Sequence, residues 1–103
     1  MRVVIAVAVG VLAAPAAAQD TVDVTRGRDL ARAWCSECHL AVADQPAAPS
    51  DAIPSFFDIA AAPTTTETSL HAFLLSPHPT MPNFMLSRQQ LDDLVAYILS
   101  LRP

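Results

Sequence analysis

Cys35-Ser36-Glu37-Cys38-His39 is the stretch on which the reading of this chain turns. Two thiols three residues apart, followed at once by a histidine, form the C-x-x-C-H signature of covalent c-type haem attachment. The spacing has a chemical reason. On one helical turn both thiols can form thioethers to the two vinyl groups of one haem, and the next residue carries an imidazole to the iron as its proximal ligand. Other readings of the two cysteines fit less well. A thioredoxin-type pair begins a helix after a strand in a βαβ unit. Here there is no sustained apolar/polar alternation and no Asn-Gly or Asp-Gly hairpin signal. A zinc site needs four ligands. No second cysteine pair exists, and His71 and His78 are seven apart, outside the usual three-to-five spacing. A Cys35–Cys38 disulfide would close only a tiny loop. The expected cofactor is therefore one covalently bound haem c with its iron.

Working outward, helical patterns flank the motif on both sides. From about Asp23 to Trp34, the residues Val24, Gly27, Leu30, Ala31 and Trp34 recur at three- and four-residue steps, and Asp23 or Thr25 can cap the free amides. A second helix is predicted over about Thr66 to Ser76, with Leu70, Phe73 and Leu74 as its apolar face, stopped by Pro77. The third opens with Ser87 and Gln90 as a capping box and runs through Leu91, Leu94, Val95, Ile98 and Leu99. The Pro/Ala-rich stretch from Ala43 to Pro63 holds at most one short helix, at Phe56 to Ala61. So long a loop in so small a domain points to something other than protein packing against it. Leu30, Trp34, Phe56, Phe57, Ile59, Phe73, Leu74, Phe84, Leu94, Tyr97 and Ile98 suffice to wrap one macrocycle. The expectation is an all-α fold, with three main helices and a Pro-rich loop around one covalently attached haem.

An iron held by His39 needs a sixth ligand or an open site, and the candidates are Met81, Met85, His71 and His78. Met81 lies in Pro77-His78-Pro79-Thr80-Met81-Pro82, a segment that cannot be helical and that is stiff enough to hold a flexible thioether in place. It is the favoured choice. Met85, just before the capped helix, reads as packing against haem or core. His71 reads as a surface residue of the second helix, and His78 as an exposed loop imidazole.

The first residues have a separate purpose. Met1-Arg2 is a short positive region, Val3 to Leu12 is apolar, and Ala16-Ala17-Ala18 supplies small residues for a signal peptidase. This predicts a signal peptide over 1–18, cleaved after Ala18, and a haem domain over 19–103. Val3 to Ala18 falls short of the roughly 20 residues that span a bilayer, so no membrane span is expected after cleavage. All six cations of the full chain are arginines, against ten acidic groups, for a net charge of −4. Phosphate binding needs clustered cations, so nucleic acid is excluded as a partner.

These features together resemble the class I cytochrome c family. The resemblance rests on Thr25 to Ala31, Cys35 to His39, Pro54-Ser55-Phe56, Met81-Pro82, and Leu91 to Leu101, and it spans nearly all of 19–103. It implies that the first and last helices cross closely, with Gly27 and Tyr97 at the crossing. It implies also that a proline carbonyl accepts from the proximal imidazole, with Pro54 the candidate and Pro49 the alternative. Mitochondrial members dock through a ring of lysines, and this chain has none. The short span from His39 to Met81 suits a compact bacterial type. The implied function is a periplasmic one-electron carrier without catalysis of its own, with His39 and Met81 as axial ligands. Its partners would be a dehydrogenase donor and an oxidase or other cytochrome as acceptor. The alternatives are a haem-bearing small subunit of a periplasmic oxidoreductase, such as a sulfite- or alcohol-oxidising dehydrogenase, and a haem-based sensor or peroxidase with an open iron.

Overall fold

Helix α1 (Val24–Trp34) begins where the Asp23 carboxylate accepts the Arg26 amide at 3.1 Å, and it ends as the Cys35 amide reaches Ala31 O at 2.9 Å. The computed structural model describes residues 1–14, 21–76 and 80–103, and adds α2 (Phe56–Ala61), α3 (Glu67–Leu75) and α4 (Arg88–Ser100). Among the described residues there is no strand, and the fold is all-α. Residues 1–14 carry no regular secondary structure. No helix is long and apolar enough to cross a membrane among the described residues. Pro15 and the expected cleavage site at Ala16 to Ala18 lie outside them, as do Pro77, His78 and Pro79.

Each helix starts on a side-chain cap. Ser55 accepts from the Asp58 amide at 3.0 Å in front of α2. Thr66 and Ser69 cap each other's amides reciprocally in front of α3, and Ser87 and Gln90 do the same for α4. These caps satisfy amides that a helix start otherwise leaves without partners.

Helix α4 is the spine, packing against α1, α2 and α3, with its most extensive contact on α1. Its stripe of Leu91, Leu94, Val95 and Ile98 is buried against Ala31, Val42, Phe56, Ala60 and Leu70. The α1–α4 crossing is close because Gly27 has no side chain. A Cβ there would lie 2.6 Å from the Asp93 carbonyl carbon and 2.8 Å from Tyr97 Cβ, and closer still to Asp93 O. Asp93, 3% exposed, locks the crossing. Its carboxylate accepts from the Asp23 amide at 2.7 Å, Arg26 Nε at 2.8 Å and Gln89 Nε2 at 2.9 Å. Burial by itself would raise the Asp93 pKa, but these donors outweigh it and hold the carboxyl below its usual value. At the far end Arg102 donates to Ala60 O at 3.1 Å and to Thr65 O, tying the C-terminus to α2 and the turn after it.

Candidate cofactor site

Because α1 ends at Trp34, the motif emerges as a further turn in line with it. The amides of Cys38 and His39 both reach Cys35 O, at 3.2 and 2.9 Å. Cys35 is thereby buried at the base of a cleft, Cys38 stays exposed at its mouth, and the two thiols are not joined. Burial first, and then the neighbouring Cys38, push the Cys35 thiol up to about 11. A redox-active cysteine needs the opposite shift.

The next residue returns to the chain fifteen positions on. His39 Nδ1 lies 2.6 Å from Pro54 O. A carbonyl can only accept, so Nδ1 carries the proton and Nε2 is the nitrogen left with a lone pair. The imidazole also sits 5.1 Å from the Phe56 ring, at 52°. Pro49 has no part in this contact; Pro54 occupies it.

Two adjoining cavities, of ≈ 490 and ≈ 310 Å³, share Trp34, Cys35, His39, Pro54, Ile59, Phe73, Met81, Pro82 and Phe84 in their walls and so form one cleft. Leu30, Phe56, Leu70, Leu74, Leu94 and Ile98 line the inner part, while Glu37, Cys38 and Ile53 line the outer part. Volumes of this order, apolar walls and a few convergent polar groups suit an organic cofactor. Trp34 stacks on Phe84 across the rim, with centroids 5.4 Å apart and planes at 17°. The donor set also fits a haem: two thiols in one turn, an imidazole with its lone-pair nitrogen defined, and a thioether at Met81 on the same cleft.

The other ligand candidates separate clearly. Met85 is 93% exposed and lines neither cavity, so it packs against neither cofactor nor core, contrary to the expectation. His71 is half-buried rather than a free surface residue. Its Nδ1 lies 2.8 Å from Glu67 O and its Nε2 3.0 Å from Asp92 Oδ1, away from the cleft. His78 lies outside the described residues. Two aromatics expected around the macrocycle are elsewhere. Phe57 does not line the cleft, and Tyr97 is buried with its hydroxyl donating to Ala41 O at 2.6 Å. Gln45 escaped the sequence reading altogether, because a lone glutamine in a Pro/Ala-rich loop carries no periodicity or motif. Its amide makes four bonds around the haem-motif turn.

Residues 22–98 match the protein family described as cytochrome c oxidase, cbb3-type, subunit III. The chain belongs to this family of c-type cytochromes. It is also 47% identical over 81 residues to cytochrome c-552 of Bradyrhizobium diazoefficiens, an alignment covering 79% of this chain and 77% of that protein. No solved structure matches it. The cytochrome's cofactor is thus haem c, covalently bound and containing iron, and its activity is electron transfer.

Proposed function

We propose that this cytochrome carries single electrons in the periplasm, with one haem c bound through thioethers to Cys35 and Cys38 and its iron held axially by His39 and Met81. The observation that supports this most directly is the convergence of those four side chains on one apolar cleft, with His39 Nδ1 engaged by Pro54 O. When bound, haem c supplies a one-electron ferric/ferrous couple. The chain's residues set the conditions for it. Pro54 O fixes the imidazole tautomer and makes His39 a stronger electron donor to a metal. The soft Met81 thioether favours the less charged, reduced form, and the apolar walls act in the same direction. Pro82 stiffens the segment that presents Met81, so little of the protein needs to move on electron gain. The expected carrier has a positive potential.

The test is an optical spectrum of the matured cytochrome, oxidised and dithionite-reduced, with and without carbon monoxide. A low-spin reduced spectrum indifferent to carbon monoxide is expected, and Met81→Ala should lower the potential and make the iron bind carbon monoxide. If it does neither, Met81 is not the ligand. Export rests on residues 1–18 acting as a signal peptide. The intact mass of the periplasmic protein should correspond to a chain starting at Gln19. A second reading, a haem-bearing subunit of an oxidoreductase, is favoured by the family's description as an oxidase subunit and by Leu75, which is exposed and lines neither cavity. A stable partner that co-elutes on size exclusion would select it.

A further inference from the structure

The haem-motif turn is wrapped around one side chain that belongs to neither the motif nor a helix. Gln45 Oε1 accepts from the Ala41 amide at 2.7 Å and the Val42 amide at 2.9 Å. Its Nε2 donates to His39 O at 3.1 Å and Ser36 O at 3.2 Å. The amide has one orientation that satisfies all four, since the amides can only donate and the carbonyls only accept. His39 is consequently held from three directions: its amide by Cys35 O, its carbonyl by Gln45, and its Nδ1 by Pro54 O. The surroundings of the clamp are themselves anchored. Ala41 O takes the Tyr97 hydroxyl from α4, and Leu40 O takes the Phe56 amide beyond Pro54 at 3.0 Å.

From this geometry we infer that Gln45 is the positioning residue of the proximal ligand. Its donor half pins the His39 carbonyl, and so sets the reach of the imidazole to Pro54 O. This rests on His39 being the ligand, as proposed above. If the donor half is removed, the His39 backbone loses one of its two restraints and the Nδ1–Pro54 bond opens more often.

Two variants separate the halves of the clamp. Gln45→Met keeps the volume and removes all four bonds. Gln45→Glu retains an acceptor for the Ala41 and Val42 amides and loses both donors. The readout is exchange of the His39 Nδ1 proton, followed by NMR in the reduced holocytochrome. With one hydrogen bond worth about 1 kcal/mol, both variants should exchange that proton roughly fivefold faster than wild type and show a shifted reduction potential. Wild-type exchange and potential in Gln45→Glu would overturn the positioning role, even if both variants melt earlier, because a purely structural clamp lowers stability alone. Should Gln45→Met not mature, Gln45→Glu decides the matter by itself. Absence of a protected Nδ1 proton in wild type would overturn the His39–Pro54 reading and the clamp with it, whereas a protected proton unchanged by the variants overturns the clamp alone.

Discussion

At the scale of the residue, Gly27 is the position with least freedom. Alanine is the better helix former by about 1 kcal/mol, so on local grounds Gly27→Ala should stabilise α1. The Asp93 backbone and Tyr97 Cβ oppose this, because the methyl would meet a carbonyl group that cannot rotate away. Overpacking of this kind costs about 1–3 kcal/mol and forces the helices apart. Gly27→Ala should therefore lower the urea midpoint of the holocytochrome. A variant as stable as wild type would show that α1 and α4 do not approach so closely. Trp34 illustrates the opposite situation. It is partly exposed although it sits on the apolar stripe of α1, because that side of the stripe lines the cleft instead of the protein core.

At the scale of the element, α3 is joined to α4 by a pair that titrates. His71 Nδ1 faces a carbonyl and Nε2 faces a carboxylate, both acceptors, and only the doubly protonated imidazolium donates to both. The bond to Asp92, and then the bond to Glu67 O, raise the His71 pKa above its ordinary value. The pair's contribution to stability is consequently complete below the ordinary histidine value of about 6.5, and is lost as pH rises through the raised value of the folded state. Urea midpoints measured across that window should fall for wild type and stay flatter for His71→Gln. Equal slopes would mean that the pair contributes nothing to holding α3. The Asp93 network at the α1–α4 crossing has the reverse dependence. Its carboxyl is held low in the folded state, so its contribution is present above the ordinary carboxylate range and lost on acidification.

At the scale of the molecule, the completely sealed interior is built from small and medium side chains: Ala31, Ala41 and Ala60 are fully buried, the largest fully buried residues are Leu94, Val42 and Val95, and the buried aromatics Phe56 and Tyr97 keep slight exposure. Trp34, Phe73 and Phe84 line the cleft. A cofactor in the cleft would cover much of the apolar surface that stabilises a domain of this size, and small domains often depend on such a group. A Cys35→Ala/Cys38→Ala chain made without haem should be largely unfolded by circular dichroism. A native-like helical spectrum would refute that dependence.

The sequence by itself determined the all-α class, the helix starts near Thr66 and at Ser87 and a first cap at Asp23 or Thr25, and it pointed to haem chemistry at residues 35–39. All of these depend on side chains within three or four positions of one another, where backbone geometry leaves few choices. Tertiary structure decided which candidates share a cleft. It put Met81 on the cavity, left Met85 in solvent and turned His71 towards Asp92, although all three are plausible ligands by residue type. It also brought Asp93 to Asp23 across 70 positions and Gln45 onto the carbonyl of His39. No local pattern announces such contacts, because a buried hydrogen-bonded carboxylate and an exposed one look alike until the helices that carry them have crossed.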